Sequence, residues 1–193
     1  MLEVGARSCW PSLQLLREGH SVAAVGVDLD AERGLLAVDP LVPAGALLPR
    51  AEGEMESLPL EPGLFDLVVA HDSLHYAPRP VRALLEIRRV TRRGGVLLAF
   101  ESPVFRRRGE GEARVADHMR EQSQRYNFPV PREAEPGYLV LGELREMFRS
   151  AGWSLEIHGW PSRAAEWVTD LRDFLHSGGR RPRSPLLLAR RDG

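Results

Sequence analysis

The chain has 193 residues, of which 43% are hydrophobic and 27% charged, and its formal net charge is −1. This composition predicts one folded domain and excludes an intrinsically disordered chain. A charge so close to zero gives no reason to expect nucleic acid as a partner. All 26 basic residues are arginine, which excludes Schiff-base and general-base chemistry on lysine.

The single cysteine, Cys9, cannot form a disulfide within the chain, and this favours a reducing compartment. No apolar run approaches the roughly 20 residues that span a bilayer. The first residues also lack the charged and apolar regions of a signal peptide. We therefore expect a cytoplasmic protein with no membrane partner, and the sequence leaves open whether it forms a homo-oligomer.

Strand-like and helix-like segments alternate along the first hundred residues. Apolar and β-branched runs predict strands at residues 1–4, 21–28, 46–51, 65–70 and 96–101. Helical segments are predicted between them at residues 12–18, 31–37 and 81–90. Gly19 is expected to end the first helix, Asp30 to cap the second and Pro80 to open the third. This alternation predicts an α/β fold with parallel strands.

The second half has a looser pattern. Helices are predicted at residues 111–126, 141–151 and 164–175, and strands at 153–160 and 185–189. Tyr126 and Phe128 lie in a stretch that we expect to form the wall of a substrate site. The arginine clusters at 106–108 and 180–183 are expected to be solvated surface.

The first predicted strand ends in Glu3-Val4-Gly5, and a turn toward a helix follows. Glycine at such a place lets the backbone turn sharply and approach a ligand with no Cβ in the way. An ordinary strand–turn–helix connection explains these residues equally well. This run alone does not decide between the two interpretations.

A second acidic site lies at the end of the second predicted strand, where residues 26–30 read Gly-Val-Asp-Leu-Asp. A carboxylate there can accept hydrogen bonds from both hydroxyls of a ribose. We assign this contact to Asp28. The alternative is that Asp28 or Asp30 caps the next helix, and both can hold because there are two acids.

Further runs follow in a recognisable order. Residues 53–60 read Gly-Glu-Met-Glu-Ser-Leu-Pro-Leu, 65–69 Phe-Asp-Leu-Val-Val, 72–78 Asp-Ser-Leu-His-Tyr-Ala-Pro, 85–90 Leu-Glu-Ile-Arg-Arg-Val and 93–95 Arg-Gly-Gly. In type and order they resemble the signatures of the class I S-adenosylmethionine-dependent methyltransferases with a type 11-like domain. The resemblance covers about residues 1–101, with a weaker similarity at 141–160. It departs from the family's Asp/Glu-x-Gly-x-Gly-x-Gly motif at Arg7 and Cys9, which stand at the second and third glycine positions.

The resemblance implies a doubly wound, Rossmann-like, mostly parallel sheet with an antiparallel last strand. It divides a single domain into a cofactor-binding half (1–101), a substrate-side insertion (102–140) and a C-terminal helix–strand portion (141–193). The implied cofactor is S-adenosyl-L-methionine. The family usually carries a helical segment before the first strand that covers the cofactor, whereas this sequence begins at the strand.

The resemblance also implies cofactor contacts for particular residues: Glu3 near the amino group, Gly5 through its backbone, Asp28 at the ribose, Glu54 at the adenine amino group and Met55 along the ring edge. Two further candidates for cofactor contacts are His71, after the fourth strand, and Arg7, which departs from the family's glycine and can pair with the carboxylate. Arg7 has a second interpretation, in which its bulk fills the place of the cofactor.

Catalytic candidates lie after the fourth strand, namely Asp72, His75 and Tyr76. We favour His75 as general base because an imidazole titrates near neutral pH, at about 6.5 when unperturbed. The alternative is a structural role for His75 as a hydrogen-bonded side chain. A metal site is not expected, because His71 and His75 form the only close histidine pair and no further ligands are evident.

The predicted function is methyl transfer from S-adenosylmethionine to a small-molecule acceptor that the sequence does not identify. The alternative, from a different functional class, is a catalytically impaired methyltransferase-like protein that acts as a binding or assembly subunit. The altered glycine positions at Arg7 and Cys9 are the reason to keep this alternative open.

Overall fold

The computed structural model describes residues 1–126, 137–161 and 182–192. The strands in these residues are β1 (Leu2–Val4), β2 (Ala23–Gly26), β3 (Arg50–Glu52), β4 (Phe65–His71), β5 (Thr91–Phe100), β6 (Val104–Phe105), β7 (Leu139–Val140), β8 (Trp153–His158) and β9 (Leu186–Arg191). The α-helices are α1 (Trp10–Arg17), α2 (Pro80–Val90), α3 (Arg108–Tyr126) and α4 (Leu141–Ser150), and short 3-10 helices span Leu35–Leu41 and Leu74–Tyr76.

One large sheet has the strand order β3-β2-β1-β4-β5-β9-β8, and β6 pairs with β7 separately. The pairings among β1 to β5 are parallel, whereas β9 is antiparallel to both β5 and β8. The predicted Rossmann-like, mostly parallel sheet with an antiparallel last strand is therefore confirmed. The third strand also lies at the sheet edge, as Pro49 just before it predicts.

Apolar side chains cover the sheet on both faces. Ala24 and Val25 are neighbours on β2 and point to opposite faces. Ala24 belongs to a cluster with Leu13 of α1, whereas Val25 belongs to a larger cluster with Leu84 and Ile87 of α2. Because both faces are buried, the functional groups of the sheet are confined to its ends.

Three predicted elements differ clearly from the observed ones. The third strand spans Arg50–Glu52 rather than residues 46–51. Instead of an α-helix at 31–37, a turn is followed by the 3-10 helix Leu35–Leu41, because Asp30 closes a local turn and Pro40 cannot supply a helical N–H. The last parallel strand begins at Thr91 rather than 96. Its pairing with β4 is irregular between Phe65 and Leu67, and the predicted Gly94 turn (φ +73°) forms this irregularity.

The predicted helix at 164–175 and the candidate contact Phe128 lie outside the described residues. The division of the domain at residues 101 and 140 stays a prediction. Within the part of the chain that the structure describes, no helix is long and apolar enough to cross a membrane.

Candidate functional site

A cavity of about 680 Å³ opens at the carboxyl ends of β1 to β4. Its volume falls in the range of about 300–1,000 Å³ that is typical of small-molecule sites. Predicted site residues that line it are Glu3, Gly5, Arg7, Asp28, Glu54, Met55, His71, Asp72 and Tyr76. The fold therefore brings together nine of the ten predicted residues, and His75 is the exception.

The floor of the cavity is set by close packing at the end of β1. Gly5 has φ +61°, a left-handed conformation that favours glycine. A Cβ on Gly26 at the end of β2 would collide with the backbone carbonyl of Ala6. The turn after β1 thus lies directly against β2, and this approach requires the glycine at position 26.

Glu3 places a buried carboxylate on the cavity wall, since only 2% of the residue is exposed. Its Oε2 accepts hydrogen bonds from the backbone N–H of Ser12 at 3.0 Å and from the Ser12 hydroxyl at 2.7 Å. Burial raises the pKa of Glu3, and the Ser12 hydrogen bonds and the nearby His71 counteract part of this rise. Oε1 has no hydrogen-bond partner among the described residues and can accept one from a ligand.

The two altered glycine positions behave differently. Arg7 is exposed, lines the cavity and lies outside the left-handed region, and it pairs with no carboxylate in the described residues. Cys9 is fully buried and adopts φ +48° as the residue that precedes α1. Backbone strain from the lost glycines therefore falls on Cys9, and the guanidinium of Arg7 stays at the cavity surface.

Asp28 and Asp30 make different local hydrogen bonds, and only Asp28 lines the cavity. Oδ1 of Asp28 accepts a hydrogen bond from the backbone N–H of Asp30 at 2.8 Å. Oδ1 of Asp30 accepts two, from Glu32 and Arg33, each at 2.8 Å. Asp28 lines the cavity with its second oxygen unbonded in the described chain, whereas Asp30 serves the turn.

The segment after β3 forms another side of the cavity. Glu54 is exposed, and Met55 reaches towards Gly5. Glu56 accepts hydrogen bonds from the backbone N–H of Arg79 at 2.6 Å and from its Nε at 2.7 Å. This pair joins the segment after β3 to the start of α2 and so stabilises this side of the cavity.

His75 does not line the cavity. Its side chain is 3% exposed, its Nδ1 lies 3.2 Å from the hydroxyl of Ser102, and its ring packs at 4.0 Å against that of Tyr76. Burial lowers the pKa of His75, although the charge of Asp72, 3.9 Å from Nε2, counteracts part of the effect. This placement does not favour His75 as general base; the hydrogen-bonded structural role is the better description, with a hydroxyl as partner.

His71, by contrast, ends β4 at the cavity wall. Its Nε2 lies 2.6 Å from Oε2 of Glu101, the residue that follows β5. Sequence analysis did not select Glu101. Its only sequence signal is its position as the last residue of the strand predicted at 96–101, beside the strand predicted at 65–70 that His71 follows.

Sequence analysis also missed Ser73, Arg33 and Glu56 as cavity residues. Ser73 is 3% exposed, and its hydroxyl donates to the carbonyl of Val4 at 3.0 Å. The glycine at position 5 was a signal for Ser73, because a glycine that is needed for close packing implies another group packed against it.

Two family models, both described as a methyltransferase domain, match residues 2–99 and residues 51–163. The chain therefore belongs to the methyltransferase domain family. Its implied cofactor is S-adenosyl-L-methionine. No relative was found among curated proteins.

Solved structures share the fold at low sequence identity. The YcgJ protein of Bacillus subtilis is 16% identical, with a TM-score of 0.66 over 100% of this chain and 91% of that one. A SAM-dependent methyltransferase of Methanosarcina mazei is 17% identical, with a TM-score of 0.64 over 99% and 91%. The [4+2]-cyclase SpnF is 20% identical, with a TM-score of 0.64 over 99% and 73%. The last of these is named for a different reaction on the same fold.

The cavity fits this cofactor in the chemistry of its side chains. Glu3 offers a free carboxylate oxygen for an ammonium group, and Arg7 offers a guanidinium for a carboxylate. Asp28 and Glu54 supply acceptors for the ribose hydroxyls and the adenine amino group. Acidic side chains and the guanidinium of Arg7 thus border one cavity, as a zwitterionic nucleoside requires.

Proposed function

We propose that this protein transfers the methyl group of S-adenosylmethionine to a small-molecule acceptor. The observation that carries the proposal is the shared cavity, which gathers the predicted cofactor residues from the ends of β1, β2, β3 and β4. In sheets of this kind, ligands bind outside the carboxyl ends of the strands.

The residues of the chain would hold the cofactor at four chemical groups. Oε1 of Glu3 accepts from the ammonium, Arg7 donates to the carboxylate, Asp28 accepts from the ribose, and Glu54 accepts from the adenine amino group. Met55 lies against the base. When bound, S-adenosylmethionine supplies an electrophilic methyl group on a sulfonium.

Because the sulfonium is itself reactive, the protein needs to do little more than align the acceptor with the methyl group and exclude water. Asp72 and Tyr76 border the cavity next to His71 and are placed to position the acceptor. His75 supports Tyr76 from beneath by ring contact at 4.0 Å. The free, buried thiol of Cys9 supports a reducing compartment, and we place the reaction in the cytoplasm.

The decisive experiment is calorimetric titration with S-adenosylhomocysteine of the unmodified protein and of two matched variants. Asp28→Ala removes a charged acceptor from the cavity and is expected to weaken binding by about ten- to a hundredfold. Asp30→Ala removes the same group two residues further along the chain, from a side chain that does not itself line the cavity. It is expected to lower the melting temperature while changing the affinity by less than about twofold.

Absence of binding by the unmodified protein would contradict the proposal. In that case the second candidate, a non-catalytic binding or assembly subunit, is favoured. Its support is the exposed Arg7 at a position where the family has glycine. Affinity that both variants leave unchanged would show that Asp28 has only its local role towards Asp30.

A further inference from the structure

A histidine and a glutamate meet beside the cavity at the ends of two adjacent strands. His71 is in register with Phe100, so Glu101 follows directly at the same edge of the sheet. The Nε2 of His71 lies 2.6 Å from Oε2 of Glu101. In a neutral imidazole, donation from Nε2 to this carboxylate leaves the lone pair on Nδ1.

Two aromatic rings fix the orientation of this imidazole. The centroid of the Phe100 ring, at the end of β5, lies 4.9 Å from that of His71. The centroid of the Trp10 indole, at the start of α1, lies 6.0 Å from it. His71 lines the cavity with 19% of its side chain exposed, and its Nδ1 has no hydrogen-bond partner among the described residues. The other carboxylate that acts on it is Glu3 of β1.

Trp10 adds an apolar surface beside the imidazole of His71, with ring centroids 6.0 Å apart, although Trp10 is not among the residues that line the cavity. It begins α1 and is 53% exposed, although it is one of the largest apolar side chains in the protein. Aromatic rings pair favourably with one another, and tryptophan is enriched at interfaces where one end of the side chain is apolar and the other is in water. The group of Trp10, His71 and Glu101 thus combines a proton acceptor, its orienting carboxylate and a stacking surface.

We infer that His71 is the general base of the proposed methyl transfer and that Glu101 orients it. The acceptor is a ring-bearing small molecule that packs on Trp10 and carries a weakly acidic O–H or N–H group. This inference rests on the proposed function and assigns its acceptor side. It also moves His71 from a cofactor contact, as the sequence predicted, to the acceptor.

The balance of the step is simple. The acceptor oxygen or nitrogen forms a bond to the methyl carbon while the carbon–sulfur bond breaks, and the bonding pair stays on sulfur as a neutral thioether. The proton of the acceptor goes to Nδ1 of His71. The resulting imidazolium is stabilised by the carboxylate of Glu101, in the arrangement that carboxylate–histidine pairs use elsewhere.

The position in the fold supports this division of roles. The predicted ribose and adenine contacts follow β2 and β3, whereas His71 and Glu101 follow β4 and β5 on the other side of β1. His75 cannot substitute, because it does not line the cavity and its Nδ1 lies 3.2 Å from Ser102. Asp72 lines the cavity, but the pair it forms among the described residues, with Nε2 of His75, is 3.9 Å long and so too long for a hydrogen bond.

The first test measures the tautomer of His71 by nitrogen-15 NMR of histidine-labelled protein without any ligand, assigned with His71→Asn. We expect protonated Nε2 and unprotonated Nδ1 in the unmodified protein, and loss of this preference in Glu101→Ala. The matched control is Glu156→Ala, because Glu156 and His158 form the same pair of atoms at 3.2 Å on β8. The control should alter only His158. A protonated Nδ1 on His71 in the unmodified protein would overturn the inference.

The second test uses 4-nitrophenol as probe in the presence of S-adenosylhomocysteine, since its ionised form has a distinct visible absorption. If His71 takes the proton, the bound probe is ionised at a pH where the free probe is mostly neutral. We expect the ratio of ionised to neutral probe to rise by about tenfold on binding. His71→Asn should abolish this rise, and Glu101→Gln, which keeps the shape of the side chain, should reduce it.

The affinity for S-adenosylhomocysteine serves as the internal control and should change by less than about twofold in both variants. A loss of more than about tenfold in His71→Asn would return His71 to the cofactor and overturn the inference. Ionisation that persists in His71→Asn would assign the base to another residue, and no binding of the probe at millimolar concentration would exclude the ring-bearing class. Failure of the proposed function is distinct from all of these, because the unmodified protein would then not bind S-adenosylhomocysteine.

Discussion

The hydroxyl of Ser73 donates a hydrogen bond to the carbonyl oxygen of Val4 at 3.0 Å and so joins the loop after β4 to the end of β1. A Cβ on Gly5 would lie 2.5 Å from the Cβ of Ser73 and 2.9 Å from its Oγ. Real side chains do not approach so closely, and the neighbour here is a short, buried side chain that cannot move aside. The two strand ends that border the cavity therefore depend on a glycine at position 5.

Gly5→Ala tests this dependence. The added methyl group meets Ser73, and φ +61° is unfavourable for alanine, so both overpacking and backbone strain result. We expect the free energy of unfolding to fall by about 2–4 kcal/mol, measured by chemical denaturation. Gly19→Ala is the matched control, because Gly19 has φ +85° with nothing within 4 Å. It should cost only about 1 kcal/mol, and equal losses in the two variants would show that Ser73 exerts no steric constraint.

Arg7→Ala tests the carboxylate contact. If the guanidinium pairs with the carboxylate of the cofactor, its loss should weaken binding of S-adenosylhomocysteine by about tenfold. Binding of 5′-methylthioadenosine, which has no carboxylate, should not change. The comparison of the two ligands in one variant removes any general effect on the cavity.

Restoring both family glycines provides the opposite case. If Arg7 obstructs the cavity, Arg7→Gly combined with Cys9→Gly should increase the affinity for both ligands. That result would favour the non-catalytic alternative over the methyltransferase. A selective loss for S-adenosylhomocysteine would favour the enzyme.

Glu3→Gln should change the pH dependence of stability. Burial raises the pKa of Glu3, so the native protein holds this proton at a pH where the unfolded chain has released it. The contribution of Glu3 to stability is therefore greatest below the ordinary value of about 4.5 and falls as the pH rises through the raised pKa. We therefore expect Glu3→Gln to be more stable, relative to the unmodified protein, at pH 7 than at pH 4.

Chemical denaturation at the two pH values measures this difference. The exposed Glu52 provides a control in the variant Glu52→Gln, which also removes one carboxylate but no buried one. Glu3→Gln should also weaken cofactor binding, since the ammonium group of the cofactor loses its anionic partner. A pH-independent difference would contradict the desolvation of Glu3.

Cys9 should be inert in the native protein. Burial, with the nearby charge of Glu3, raises the pKa of the Cys9 thiol to about 12. At pH 8 only about one thiolate in ten thousand would be present, and the thiolate is the reactive form. We expect Ellman's reagent to react at least about a thousandfold more slowly than with a small thiol, and rapidly once the protein is unfolded. Fast reaction of the native protein would contradict the burial of this side chain.

Much of the fold was predictable because its signals are local. Pro80 opens α2 as expected, and Gly19 follows α1 in a left-handed conformation. The antiparallel β9 was predicted only through the resemblance, because no local signal gives the direction of a strand. The second helix was predicted wrongly because Asp30 satisfies two backbone N–H groups within a turn instead of starting an α-helix.

The site was less predictable, because it depends on directions and on distant pairs. His75 and Tyr76 are adjacent in sequence, yet the 3-10 turn buries His75 and exposes Tyr76 to the cavity. Glu101 lies 30 residues after His71 and is brought beside it by the register of β4 with β5. Trp10 lies 61 residues before His71 and is brought beside it by the start of α1. Spacing along one segment contains no information on either point.

The insertion of β9 between β5 and β8 has a consequence for synthesis on the ribosome. β9 is made after both of its neighbours, so the open edge of β5 has no partner until residues 186–191 emerge. During that interval the parallel half of the sheet exposes a row of unpaired backbone groups, which invites pairing with other nascent chains. Proteins truncated just before Leu186 should accordingly aggregate during expression, even though every residue of the cavity is present in them.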